Sequence, residues 1–246
     1  MGETKHLLVF RVEGKTNHRR SHLPIEAKRV QQAFHIFDTI RSERSNVLRP
    51  GQFEVFGEII KHLLIGNKAG YIELPTGAGK TVIASWLIEL LGENAIIIAP
   101  TNETVEQFER AIHNFTNITP IQSKNIDETK LVELRNSVGK HVVVTTHDNF
   151  RAKKQLGEQQ LSDEEIESQY PFLLQYPPDK YPILIIDEAQ KCIGPESLKA
   201  LRKYLEQRGI QVYALTATPD FNKLFLFPNR SAKAPVGNSS KTIAIA

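Results

Sequence analysis

The chain has 246 residues, a formal net charge of +3 and one cysteine, with 40% apolar and 24% charged residues. That is ordinary globular usage, enough for a sizeable core, and it excludes a disulfide-stapled scaffold while suiting a reducing cytosol, nucleoid or nucleus. No apolar run approaches the roughly 18 residues of a membrane span, and no basic stretch followed by an apolar one marks a secretory signal at the N-terminus.

Residues 5–12, "KHLLVFRV", read as a short strand rich in β-branched and aromatic residues. Residues 13–23 are polar and loop-like. From Ile25 to Ile40 the apolar residues Ala27, Val30, Phe34, Phe37 and Ile40 recur every three or four positions, which predicts an amphipathic helix. Residues 1–49 also hold ten Lys/Arg against five Asp/Glu. This basic excess favours phosphate backbones or is simply a solvated face. Pro50-Gly51 signals a turn, and "FEVFGEIIKHLLIG" then reads as a helix ending at Gly66.

From Gly70 onward strands alternate with helices. Strands are expected at 70–74, 95–99, 141–145, 183–186 and 211–215, and helices at 80–91, 104–115 and 196–207. This alternation predicts an α/β fold with a mostly parallel sheet and helices on both faces. The runs "AIIIA" and "PILIID" suit strands buried on both sides. Residues 116–140 are expected to hold a short helix. Residues 152–180, polar and acidic, read as a surface insertion. The tail from Ser231 shows no element and reads as disordered or as the start of something further.

Between a strand and a helix stands "LPTGAGKT", residues 74–81. Glycines in such a turn let backbone N–H groups converge on phosphate oxygens. The following helix N-terminus adds roughly +0.5 of a charge. Thr76, Gly77, Ala78 and Gly79 would form the cradle, Lys80 would reach the phosphates, and the Thr81 hydroxyl would ligate Mg²⁺. The P-loop pattern wants glycine six residues before the lysine, where this chain has Leu74.

The second half of the signal lies 107 residues beyond Lys80. "YPILIIDEAQKC" sets Asp187 and Glu188 just past a buried apolar strand. Ligands of parallel sheets bind at the carboxyl ends of the strands, and an acidic pair there is costly without a cation. Asp187 is placed to hold Mg²⁺, and Glu188 to orient or deprotonate an attacking water. The plainer alternative is a pair of solvated loop carboxylates.

These segments together resemble superfamily two helicases and translocases, closest to the DEAD/DEAH-box-like proteins that include type III restriction subunits. The resemblance covers roughly 48–220, in order. "LRPGQ" is similar to the segment whose glutamine reads adenine, which makes Gln52 the candidate. "LPTGAGKT" resembles motif I, where Leu74 is an accepted variant. "APTNETVEQF" resembles motif Ia, "VVTTHDNF" motif Ib, "DEAQ" the DEAD or DEAH box, and "LTATP" motif III. The resemblance implies a RecA-like P-loop domain using ATP and Mg²⁺, with Gln190 beside the nucleotide. It implies nucleic-acid contacts (DNA or RNA) from Pro100, Thr101, Thr145 and Thr146, and coupling through Thr216 and Thr218. The threonines have a plainer reading as strand-end caps. Gln190 can hydrogen-bond but carries no charge where the family has Asp or His.

The resemblance also implies a second RecA-like domain in cis, supplying arginines worth about 10³ to 10⁵ in rate. Residues after 220 are too few to form it. The expected organisation is a basic N-terminal extension over 1–47, an ATP-binding domain over 48–230, and a tail over 231–246, with low isolated activity. Two alternatives stay open: a non-catalytic nucleotide-sensing or protein-docking module, and a P-loop kinase or small-molecule ATPase. Trp86 reads as core. Cys192 has no His/Cys neighbours in sequence to suggest a metal site, and His6, His18, His22 and His35 read as surface residues.

Overall fold

The computed structural model describes residues 27–43, 52–64, 69–74, 76–137, 139–150, 162–192, 201 and 204–217. Among the described residues six strands form one sheet: β1 (Ala69–Glu73), β2 (Ala95–Ala99), β3 (Thr119–Gln122), β4 (His141–Thr146), β5 (Ile183–Asp187) and β6 (Gln211–Thr216). Their spatial order is β1-β6-β5-β2-β4-β3, and every neighbouring pair is parallel. This is the expected α/β, RecA-like class. After β2 the chain moves toward β3, and after β5 it moves toward β6. The crevice at the carboxyl ends of β2 and β5 is thus a topological switch point, the usual ligand position in such sheets.

Five strands lie where hydrophobic patterning predicts them. The addition is β3, inside the stretch expected to hold only a short helix. Its sequence, "TPIQ", buries a single apolar residue, Ile121. Among the described residues it pairs only with β4, and a proline is tolerated there because an edge strand leaves backbone groups unpaired. The expected helix follows as α5 (Glu128–Asn136).

The pleat divides the core in two. On β2, Ala95, Ile97 and Ala99 join one apolar cluster, and Ile96 and Ile98 join the other. Side chains alternate along a strand, so burial on both faces explains the unbroken apolar run. The first face is covered by α1 (Ala27–Glu43), α2 (Gln52–Leu64), α3 (Lys80–Leu91) and α4 (Asn102–Phe115). Val30, Ala33 and Phe37 of α1 enter this core beside α3 and α4. Trp86 is fully buried there, as expected, and stacks on Phe56 with ring centroids 4.2 Å apart. Truncating so large a buried aromatic costs about 3–5 kcal/mol.

The second face corrects the reading of residues 152–180 as a surface insertion. Within the described part, α7 (Asp163–Gln169) and α8 (Pro171–Gln175) bring Ile166, Tyr170, Phe172, Leu173 and Tyr176 into the second cluster. The acidic residues that suggested a surface loop occupy the first turn of α7. There Ser162 and Glu165 form a reciprocal capping box. A few large aromatics bury enough area to outweigh the segment's polar average. α6 (His147–Phe150) and the helical residues 204–207 complete this face. The expected 5–12 strand, the 231–246 tail and His6, His18 and His22 lie outside the described residues; His35 is exposed.

Candidate functional site

The phosphate-type turn joins β1 to α3. Gly77 and Gly79 adopt φ of 79° and 89°, the left-handed region open to glycine at little cost. A Cβ on Gly77 would meet nothing within 4 Å, so the turn's outer side is open to a ligand. Gly79 is crowded instead: a side chain there would collide with the Gln52 amide. Gln52 is itself buried, and its Nε2 donates to the Ala78 carbonyl at 3.1 Å. Thus the expected adenine-reading glutamine lies against the turn. Thr76 is exposed, and Thr81 occupies the first turn of α3, half-buried.

Across the crevice, β5 ends in Asp187, followed by Glu188. Lys80 Nζ makes an ion pair and hydrogen bond with Glu188 Oε1 and lies 3.5 Å from Asp187 Oδ1. Glu188 is the one non-glycine residue with positive φ among the described residues, at 49°. Such a conformation costs roughly 1–3 kcal/mol and persists where surrounding contacts impose it. Asp187 is buried, and its Oδ1 has no hydrogen-bond partner among the described residues. Burial pushes its carboxyl pKa up; Lys80 opposes this, and the neighbouring Glu188 adds to it.

Two carboxylates therefore face the largely buried Lys80 ammonium, the exposed Lys191 Nζ lies 3.9 Å from Glu188 Oε2, and Asp187 Oδ1, though ion-paired with Lys80, accepts no hydrogen bond among the described residues. A hard divalent cation takes oxygen ligands, and Mg²⁺ is usually held by one or two carboxylates together with substrate phosphates. The donor set fits: Asp187 would be the protein carboxylate ligand, and Thr81, opening α3, could add its hydroxyl.

The remaining predicted residues divide. Pro100 and Thr101 follow β2 at the same sheet edge. Thr101 is exposed, and its hydroxyl caps α4 by accepting from Thr104 N at 3.2 Å. Thr145 is buried and accepts from Ser123 Oγ at 2.8 Å and Asn149 Nδ2 at 3.3 Å. Thr146 is half-buried and accepts from Asn149 N at 3.4 Å. Thr216 is buried at the end of β6, where its carbonyl accepts from Leu74 N at 2.8 Å. The Gln190 backbone belongs to α9 (Ala189–Cys192). The Gln190 side chain and Thr218 lie outside the described residues.

Sequence reading missed His147, the residue after Thr146. It is buried, and its Nε2 donates to the Asp187 carbonyl at 2.7 Å. It also missed Ser123 and Asn149, which fix Thr145. Nothing local marks Ser123 or His147, because each acts on a partner brought near by the pairing of strands, whereas Asn149 acts on Thr145 and Thr146 within one turn of the chain.

Residues 45–221 match the family described as type III restriction enzyme, res subunit. The XPB helicase/translocase subunit of general transcription and DNA repair factor IIH from Enterocytozoon bieneusi (strain H348) is 35% identical over 68 residues. That match spans 26% of this chain and 11% of the relative. Among solved structures, the Hef helicase domain of Pyrococcus furiosus aligns at 18% identity and a TM-score of 0.48, covering 74% of this chain and 38% of that one. A hypothetical ATP-dependent RNA helicase from Sulfolobus tokodaii aligns at 18% identity and a TM-score of 0.49, covering 82% and 54%. The matched part is thus about a tenth of the curated relative's length, and between a third and just over half of each solved chain.

Proposed function

The chain belongs to the type III restriction enzyme res subunit family, a helicase-type ATP-binding family, and from that premise we propose that it is the ATP–Mg²⁺-binding half of a nucleic-acid-dependent ATPase, a helicase or translocase. One observation carries the reading: Lys80 at the glycine turn meets Asp187 and Glu188 at the end of β5, where the buried Asp187 Oδ1 is ion-paired with Lys80 but accepts no hydrogen bond among the described residues. A kinase or small-molecule ATPase would use a similar turn and acid, but would not account for the family match over residues 45–221.

In this reading Thr76, Gly77, Ala78 and Gly79 wrap the phosphates with backbone N–H groups. Gln52 reads the adenine while its amide steadies the turn at Ala78, and Gln190 lies beside the nucleotide. Lys80 exchanges its carboxylate partner for a phosphate oxygen. That exchange frees Glu188 to accept a hydrogen bond from water and orient it for attack. Asp187 and Thr81 hold Mg²⁺, which when bound neutralises charge on the phosphate oxygens. Thr216 and Thr218 couple this edge to the rest of the motor. A second RecA-like domain in cis completes the charge stabilisation, so residues 48–230, with α1 packed against them, hydrolyse ATP slowly alone.

DNA or RNA backbone would be gripped at the ends of β2 and β4. The accessible groups there are Pro100, Thr101 and Thr146; Thr145, held by Ser123 and Asn149, supports them from beneath. Such contacts position a strand without reading bases.

The test is thermal unfolding with and without ATP–Mg²⁺. The wild-type Tm should rise by several degrees, since ligand at 100 times its Kd contributes about 2.7 kcal/mol. Lys80→Ala should lose the rise. Equal shifts in both proteins would reject this site. A shift with no ATPase activity in the full-length protein, with DNA and with RNA, would favour the non-catalytic sensing or docking module.

A further inference from the structure

We infer that His147 is a positioning residue for the Asp187–Glu188 carboxylate pair, fixing the peptide unit between them from the end of β4; the inference rests on the nucleotide reading of that site.

One peptide plane carries both the Asp187 carbonyl and the Glu188 N–H. Each is held from a different neighbouring element. His147 Nε2 donates to the Asp187 carbonyl at 2.7 Å. Glu188 N donates to the Leu215 carbonyl of β6 at 2.8 Å. A carbonyl can only accept, so the histidine carries its proton on Nε2. With both ends tied, the plane cannot rotate about its Cα–Cα axis without breaking a buried hydrogen bond. That rotation sets ψ of Asp187 and φ of Glu188, and so the directions in which the two carboxylates leave the backbone.

The φ of 49° at Glu188 is what such a restraint would leave behind. A glutamate has no local reason to enter the left-handed region, and Glu188 does so where both polar groups of the preceding peptide are claimed by other elements, α6 and β6. A third bond, from Lys191 N to the Glu188 carbonyl at 2.8 Å, starts α9 immediately afterwards. His147 is buried and follows Thr146 directly. The imidazole is therefore positioned by the strand end proposed to grip nucleic acid, and holds the peptide that aims the hydrolytic groups. A strand held at Thr146 would act on Glu188 through one side chain.

The role separates from general structural support by its dependence on metal. His147→Phe keeps a ring of similar size and removes the donor. His147→Gln places an amide nitrogen at about the reach of Nε2. His147→Asn keeps polarity but stops near the position of Nδ1, short of the carbonyl. The experiment titrates this 246-residue chain with a fluorescent ATP analogue, with Mg²⁺ and with EDTA, and checks each variant's fold by circular dichroism. Wild type should bind more tightly with Mg²⁺. His147→Phe and His147→Asn should lose about 10- to 100-fold of affinity with Mg²⁺, the range for groups that orient metal ligands. Their metal-free affinity should stay within about twofold, and His147→Gln should recover most of the loss. If His147→Phe does not fold, the Asn and Gln pair decides the matter alone. Equal Mg²⁺ dependence in wild type and every folded donor-lacking variant would overturn the positioning role. So would equal losses with and without metal. Absence of nucleotide binding in wild type would instead overturn the underlying site, and this inference with it.

Discussion

Helix α3 carries a charged cluster at each end, and the two are balanced in opposite ways. At its start Lys80 meets two acids, Asp187 and Glu188, and the buried Asp187 Oδ1, ion-paired with Lys80, accepts no hydrogen bond among the described residues. At its end the excess is basic. Arg29 of α1 donates through Nε to the Leu90 carbonyl at 2.9 Å and through Nη2 to the Glu89 carbonyl. Lys140 also acts on the buried Glu89. The terminal carbonyls of a helix lack intrahelical partners and carry partial negative charge, so a guanidinium there satisfies both needs. Gly92 closes that end with φ of 71°, where a side chain would strike the Arg29 guanidinium. One end is complete within the protein. At the other, two acids meet one largely buried ammonium, Lys80, while the second cation, Lys191, is exposed to solvent.

Exchanging one residue at each end should give opposite signs. The largest effect is expected from Asp187→Asn. Mg²⁺-dependent nucleotide affinity should fall by about 100-fold, while the ligand-free protein becomes more stable because a buried charge has gone. The pH dependence gives the same sign. The folded pKa of Asp187 is raised above its unfolded value of about 4. Its favourable contribution is therefore complete below that value and lost as pH rises through the folded pKa. Wild type should show that loss in ligand-free thermal unfolding between acid and neutral pH, and Asp187→Asn should reduce it. A ligand-free protein destabilised by Asp187→Asn would remove the contrast between the two ends.

Arg29→Ala comes next. Two carbonyl caps and a charge at the helix end are lost together, costing about 2 kcal/mol of stability. Nucleotide affinity should change by less than about twofold, measurable by the same titration. A large affinity loss would mean that the two ends of α3 are not independent.

Glu89→Gln should be the smallest. Burial raises the Glu89 carboxyl pKa, while Arg29 and Lys140 pull it down. Its contribution likewise declines as pH rises above about 4.5, so the variant should flatten the acid side of the stability profile. Unlike Asp187→Asn, it should leave the Mg²⁺ response unchanged. A changed Mg²⁺ response would join the basic end to the nucleotide site.

The first face of the sheet was legible because α1 to α4 repeat apolar residues at helical spacing and five strands read as apolar runs. The second face was not. Its aromatics, Phe172 in a short helix and Tyr170 and Tyr176 at helix ends, lie inside an acidic, proline-containing stretch, where a window average reports polarity. β3 escaped notice because four residues with one buried side chain make no period.

At the site, the local chain determined that a glycine turn precedes a helix and that two acids close an apolar strand. Those features depend on residue type and on spacing within a few positions, which a sequence displays directly. Tertiary structure alone decided that Lys80 touches Glu188, that Arg29 caps the far end of α3, and that His147 holds the peptide joining the two acids. Each of those contacts spans tens of residues, up to 108 in the case of Lys80 and Glu188. Strand order sets which ends of the chain meet, and that order arises from burying both faces of the sheet at once, not from any single segment.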